Sequence, residues 1–274
     1  MPLSTSITFI GGGNMASAII GGLIKQGHSP EVIHIVEPWD EQRQRLRAQF
    51  PGVALYDAAG PSLPPTDMVV WAIKPQVFKE VALASAPTIN ADALHLSVAA
   101  GISSDNISHW TGSERVVRAM PNTPALVGLG MTGLFARDAV TADDRKMVDT
   151  VVATTGSFVW CDSEAQLDAV TALSGSGPAY VFYFLEAMRD TGVEMGLSPE
   201  LAMELATGTF IGAATLAQRS DEPPQTLRDR VTSKAGVTFA ALSHMEAQGV
   251  KAHFQGAMRA AKQRSQELGK EFGD

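Results

Sequence analysis

The glycine run Gly11-Gly12-Gly13-Asn14-Met15-Ala16 follows the β-branched stretch Ile7–Ile10 and leads into a helical pattern. In that G-x-G-x-x-A spacing Gly11 permits a tight turn, Gly13 lets the backbone approach a pyrophosphate, and Ala16 allows close helix–strand packing. Asn14 and Met15 fall in the first helical turn, where unpaired N–H groups attract an anion. Glu37 stands 24 positions after Gly13, where an acid would accept hydrogen bonds from the hydroxyls of an adenine ribose and disfavour a 2′-phosphate. Arg43, Arg45 and Arg47 follow on what reads as a solvated helix face, and one of them could pair with a phosphate if the chain turns back. NADPH and NADH therefore both remain open as cofactor, with Glu37 favouring NADH. Three further turns end apolar runs: Ala72-Ile73-Lys74-Pro75-Gln76, Ala99-Ala100-Gly101 and Met120-Pro121-Asn122-Thr123-Pro124. In an open α/β sheet such turns line one crevice. Ala72, Lys74, Pro75, Ala99 and Gly101 are read as cofactor contacts, with Lys74 balancing phosphate charge and the small residues leaving room for the ribose and nicotinamide.

A second stretch, Ser233-Lys234-Ala235-Gly236-Val237-Thr238, stands just before another helical pattern. Backbone N–H groups at such a start suit a carboxylate, and Ser233 can add a hydroxyl donor. From the residues alone, a serine in that place reads first as a simple N-cap.

The elements that must position these residues change character along the chain. Candidate strands are Ile7–Ile10, Ile33–Val36, Val53–Tyr56, Met68–Ile73, Leu94–Val98, Val116–Ala119, Thr132–Phe135 and Phe158–Cys161, with helical stretches such as Ala16–Gln26 and Glu41–Gln49 between them. That alternation predicts βαβ units and a mostly parallel sheet. From about Ser163 the strand-like runs stop, and helical periods follow at Ala179–Glu194, Pro199–Gln218, Val237–Ala247 and Ala252–Leu268. The expected fold class is α/β, with a dinucleotide-binding domain over residues 1–162 and an all-helical domain over residues 163–274.

Composition removes several function classes. The chain has 274 residues, 45% of them hydrophobic and 18% charged, which suits a globular protein with a sizeable core. A formal net charge of -8 speaks against nucleic acid and against anionic membranes as partners. The single cysteine, Cys161, excludes an intrachain disulfide and a thiolate zinc site; it reads as a small buried hydrophobe near a strand end. No metal is expected. The opening MPLSTS has neither a basic segment nor a long apolar one, so a cytoplasmic location is expected.

The segments Phe9–Ala16 (FIGGGNMA), Ala72–Gln76 (AIKPQ), Ser97–Ile102 (SVAAGI), Met120–Ala125 (MPNTPA), Ala172–Phe182 (ALSGSGPAYVF) and Arg228–Leu242 (RDRVTSKAGVTFAAL) resemble the pyrroline-5-carboxylate reductases, in order and over nearly the whole chain. The resemblance implies a Rossmann-like domain joined to a helical domain that interleaves with a second subunit, giving a homodimer or higher oligomer. It implies reduction of 1-pyrroline-5-carboxylate, a small cyclic imine, to proline as the last step of proline biosynthesis. The substrate then lies between the nicotinamide and the Ser233–Thr238 loop, with Ser233, Gly236, Val237, Thr238, Met120 and Asn122 as contacts. Thr238 is the catalytic candidate, hydrogen-bonded to the ring nitrogen. The loop departs from the family's commonest form at Ala235, where glycine is usual. A β-hydroxyacid dehydrogenase would share the plan but needs a catalytic lysine, and none occurs between Lys146 and Lys234.

Overall fold

In the computed structural model, which describes residues 5–272, eight strands form one sheet. They are β1 (Ile7–Ile10), β2 (Ile33–Val36), β3 (Ala54–Tyr56), β4 (Met68–Trp71), β5 (Leu94–Ser97), β6 (Val116–Met120), β7 (Gly130–Ala136) and β8 (Gly156–Trp160). Their order is β3-β2-β1-β4-β5-β6-β7-β8, with every pair parallel except β6 and β7. All eight expected strands are present; β4 and β5 stop earlier than read, freeing Ala72–Lys74 and Val98–Gly101 to form turns. Helices α1 (Asn14–Lys25), α2 (Asp40–Gln49), α3 (Pro75–Ser85), α4 (Ser104–Thr111) and α5 (Ala142–Val152) accompany the sheet.

The inner strands β1, β2, β4 and β5 are buried at every position, so that even their polar residues Thr8, His34, His95 and Ser97 lie inside, between two covered faces. Successive side chains of a strand point to opposite faces. Met68 and Val70 accordingly join a core with Phe9, Ile20 and Leu46, while Val69 and Trp71 join another with Phe78 and Trp110.

His95, on β5, shows what a polar side chain needs in such a place. Its Nδ1 accepts a hydrogen bond from the Trp71 indole at 3.0 Å, and the two rings stack with centroids 5.9 Å apart. Burial, with a smaller contribution from Arg115, pushes the imidazole pKa down to about 4. The unfolded chain therefore binds a proton below pH 6.5 that the folded chain refuses. Stability should fall as pH drops from 6.5 towards 4, with up to about 3 kcal/mol traceable to this residue. Urea unfolding of wild type and His95→Gln across that window checks it. A pH slope equal in both proteins would remove His95 from the account.

The chain divides into two compact units: residues up to Ser176 together with those from Ala261 on, and Gly177–Ala260. The first unit also holds α6 (Gln166–Val170) and a π-helical turn, Thr171–Gly175, closed by Ser176 N–H donating to Thr171 at 2.8 Å. The chain's end belongs here because Ser265 donates to Asp168 at 2.8 Å and Phe272 packs on the second core. The contact boundary thus falls later than the change of texture at residue 163, and the final helical residues return to the first unit.

The second unit contains α7 (Gly177–Glu194), α8 (Pro199–Gln218), α9 (Pro224–Arg230), α10 (Val237–Ala247) and the greater part of α11 (Val250–Glu271). Tyr180, Phe184 and Phe254 meet edge to face within it. Many of its apolar side chains stay exposed, among them Tyr183, Met195, Ile211, Val231 and Phe239. Gly208 and Gly212 of α8 would each accept a Cβ without meeting any atom within 4 Å, so packing within the chain does not account for their small size. An apolar surface of this kind is left for association.

Candidate active site

The glycine turn follows β1 as its spacing predicts. Gly11 has φ +96°, donates to the Val36 carbonyl at 2.8 Å, and leaves no room for a side chain: a Cβ would lie 2.6 Å from the Ala72 carbonyl oxygen. Gly13 is the N-cap of α1, and a Cβ there would meet nothing within 4 Å. The space beyond Gly13 is open, and no side chain caps the N–H groups of α1. By contrast Ser103, Thr141 and Ser198 cap α4, α5 and α8. The residues thus fit a dinucleotide whose pyrophosphate lies at the start of α1.

A cleft of about 630 Å³ opens here, and it brings together Gly11, Gly13, Glu37, Ala72 and Lys74 of the expected cofactor contacts. They follow the carboxyl ends of β1, β2 and β4, where the strand order reverses, and a doubly wound sheet presents its ligand crevice there. Pro75 sets the first turn of α3, with Lys74 exposed as its N-cap. Asn14 is exposed and Met15 packs against the first core. Ala99 is buried in the second core, and Gly101 lines another depression, beside Arg118 and Glu164.

Glu37 is buried, and both carboxylate oxygens are held by main chain: one accepts from Gly12 N–H at 3.0 Å, the other from Trp39 N–H at 3.0 Å. Arg43 is not on a solvated face. Its guanidinium donates to the carbonyls of Glu37 at 2.8 Å and Pro38 at 2.7 Å and pairs with Asp40 at 3.0 Å. Arg45 is exposed and pairs with Glu41. Sequence reasoning missed Trp39, an aromatic side chain 75% exposed on the cleft wall. It also missed Gln42, which donates to the Gly12 carbonyl at 2.7 Å. The signal for Trp39 was an aromatic residue in a polar turn directly after a strand.

The Met120–Pro124 turn is tied to the π-helical turn. Asn122 donates to the Ser174 carbonyl at 2.9 Å and accepts from Met131 N–H at 2.9 Å. A Cβ on Gly175 would stand 2.7 Å from the Met120 methyl, so Met120 packs directly on that turn. Single π turns of this kind are frequent at functional sites; the SGSGPAY motif was visible, but its hydrogen-bond pattern was not.

In the second unit the Ser233–Thr238 loop turns through Gly236 N–H donating to Ser233 O at 3.0 Å. Gly236, not Ser233, is the N-cap of α10, and no side chain caps this helix. A Cβ on Gly236 would collide with the Ser233 hydroxyl oxygen and crowd the Ser233 carbonyl, so a larger residue there would displace the Ser233 side chain. Ser233, Lys234, Val237 and Thr238 are exposed, and among the described residues neither the Ser233 nor the Thr238 hydroxyl is engaged by another group. Ala235 has φ +58°, the one positive φ outside glycine among the described residues. An L-residue held there is strained by about 1 kcal/mol. Ala235→Gly should raise stability by up to about 1 kcal/mol, and Ala235→Val should lower it by more. Equal denaturation midpoints for the three proteins would mean that the loop relaxes freely.

Cys161 follows β8 and is half-buried, less enclosed than the sequence suggested; burial pushes its thiol pKa up, away from reactivity. Among the described residues no group of three or more His, Cys, Asp or Glu is placed to hold a metal, and no helix is long and apolar enough to cross a membrane.

Comparison with known proteins covers nearly the whole length. Residues 164–268 match the family model for pyrroline-5-carboxylate reductase dimerisation, and residues 6–101 match that for coenzyme F420-dependent NADP oxidoreductases. The pyrroline-5-carboxylate reductase of Pseudomonas aeruginosa is 42% identical over 97% of this chain and 98% of its own length. That of Haemophilus influenzae is 40% identical over 96% and 97%. Among solved structures, the pyrroline-5-carboxylate reductase of Coxiella burnetii superposes with a TM-score of 0.90 at 35% identity, covering 97% of this chain and 99% of its own. That of Plasmodium falciparum, solved with NADP bound, gives 0.86 at 29% identity, covering 98% and 100%.

Proposed function

The chain belongs to the pyrroline-5-carboxylate reductase family, and from that premise we propose how its own residues carry the reaction. The protein reduces 1-pyrroline-5-carboxylate to L-proline with NAD(P)H, the last step of proline biosynthesis, and it self-associates through its helical region. The observation that carries the site assignment is the uncapped start of α10, which leaves N–H groups and two unengaged hydroxyls in one short loop.

In this reading the N–H groups after Gly236 and the Ser233 hydroxyl hold the substrate carboxylate. The Thr238 hydroxyl holds the ring nitrogen and so fixes which face of the imine carbon is presented. Gly11, Gly13 and the first turn of α1 anchor the pyrophosphate, with Lys74 supplying positive charge beside it. Held by these residues, a reduced nicotinamide would supply the hydride that the imine carbon needs, the C=N π pair passing to nitrogen. The ring nitrogen carries a proton on binding or takes one from solvent, because the loop holds no His, Asp or Glu to act as general acid. Positioning then supplies most of the rate enhancement. Met120 and Asn122 contribute by fixing the turn between β6 and β7 rather than by acid–base chemistry.

We assign residues 1–162 to cofactor binding and residues 163–274 to substrate binding and dimerisation. We place the enzyme in the cytoplasm, where reduced nicotinamide cofactors are available and a lone thiol needs no partner. Purified protein should oxidise NADH or NADPH on addition of pyrroline-5-carboxylate and release proline. Protein that is folded and binds cofactor yet turns over only another cyclic imine would overturn the substrate assignment.

A further inference from the structure

Resting on the reading of the first cleft as the dinucleotide site, we propose that this chain selects NADH over NADPH, with Glu37 excluding a 2′-phosphate and Trp39 serving as the adenine platform. The cleft's charged lining is three carboxylates, Glu37, Asp57 and Glu80, against the single amine of Lys74; no arginine lines it. A 2′-phosphate would bring about two further negative charges to the acidic end.

Glu37 cannot swing aside cheaply. Moving it would leave the Gly12 and Trp39 N–H groups without their acceptors. A carboxylate oxygen bonded once retains a lone pair for a ribose hydroxyl, so the fixed group can accept a 2′-hydroxyl while repelling a phosphate. Two of the three arginines that could have rescued a phosphate are engaged, and the third, the exposed Arg47, does not line the cleft. Arg43 holds two carbonyls of the very turn that carries Glu37. Arg45 pairs with Glu41 one helical turn along. Trp39, two residues beyond Glu37, stands on the cleft wall with most of its ring exposed, although no packing within the first unit requires an indole there. A planar base is the ligand that such a face fits, and stacking on it tolerates either cofactor equally.

The two roles separate experimentally. Full-length protein is titrated calorimetrically with ADP-ribose and with 2′-phospho-ADP-ribose, neither of which can react. Wild type should bind the unphosphorylated ligand about ten-fold tighter or more, with the same preference in kcat/KM for NADH over NADPH. Glu37→Ser should narrow or invert the ratio. Trp39→Ala, a change at an exposed position, should weaken both ligands by about ten-fold and leave the ratio unaltered. Equal or reversed preference in wild type, or a ratio unmoved by Glu37→Ser, would overturn the proposal while leaving the cleft as the cofactor site. Failure of both ligands to bind would sink the cleft assignment along with it.

Discussion

Gly13→Ala should fold as wild type does and lose about 100-fold in cofactor affinity, whereas Gly11→Ala should lose stability and affinity together. The two glycines lie two residues apart, and their surroundings are opposite. At Gly11 a methyl group would be driven to 2.6 Å from a carbonyl oxygen just past the end of β4, in a backbone with φ +96°. Neither partner can retreat without disturbing the central strands, so a loss of about 3 kcal/mol or more in unfolding free energy is expected. At Gly13 the same methyl would meet no protein atom within 4 Å, and φ is -74°, which alanine adopts freely. The stability cost there is the modest one of a poorer N-cap, about 1 kcal/mol or less. The space it fills is where the pyrophosphate must approach the first turn of α1. Lengthening two charge-assisted hydrogen bonds of about 1.5–3 kcal/mol each accounts for the affinity loss. Thermal melts and cofactor titration on both variants check the pair. Unchanged affinity in Gly13→Ala would move the pyrophosphate elsewhere.

Thr238→Ala should lower kcat/KM for the imine by roughly 10- to 150-fold, the worth of one hydrogen bond to a charged group at about 1.5–3 kcal/mol. Thr238 is exposed and its hydroxyl serves no other group among the described residues, so stability should stay within about 0.5 kcal/mol of wild type. Cofactor affinity should also be unchanged. Thr238→Ser, which keeps the hydroxyl, should recover most of the activity. Full activity in the alanine variant would remove Thr238 from the mechanism; loss in both variants would assign its importance to the methyl group and to packing.

Much of this molecule can be read from residue order alone because its signals are local. The buried strands β1 and β2 announce themselves as short β-branched runs, and the turn after β1 as glycines, of which Gly11 has no room for a Cβ. The helical periods from Pro199 to Gln218 and from Val237 to Ala247 coincide with α8 and α10. What stayed hidden depends on how the backbone turns and on which side chains it brings together, near or far in sequence. Arg43 looked solvated because nothing local reveals that α2 turns its guanidinium back onto Glu37 and Pro38. Ser233 looked like a helix cap, but Gly236 takes that position because the loop runs one more turn before α10 begins. The strain at Ala235 was foreseeable: the family prefers glycine there, and the backbone has φ +58°. The return of residues from Ala261 onward to the first unit had no local mark, since a bond such as Ser265 to Asp168 spans 97 positions.

The most direct test of the central claim follows the hydride itself. The enzyme is given pyrroline-5-carboxylate and, in turn, NADH and NADPH deuterated at the transferring position, and the product is examined by mass spectrometry and NMR. The account predicts proline with one deuterium per molecule, on the former imine carbon and on one face only, in step with cofactor oxidation. Cofactor oxidation without labelled proline, or deuterium on both faces of that carbon, would contradict it.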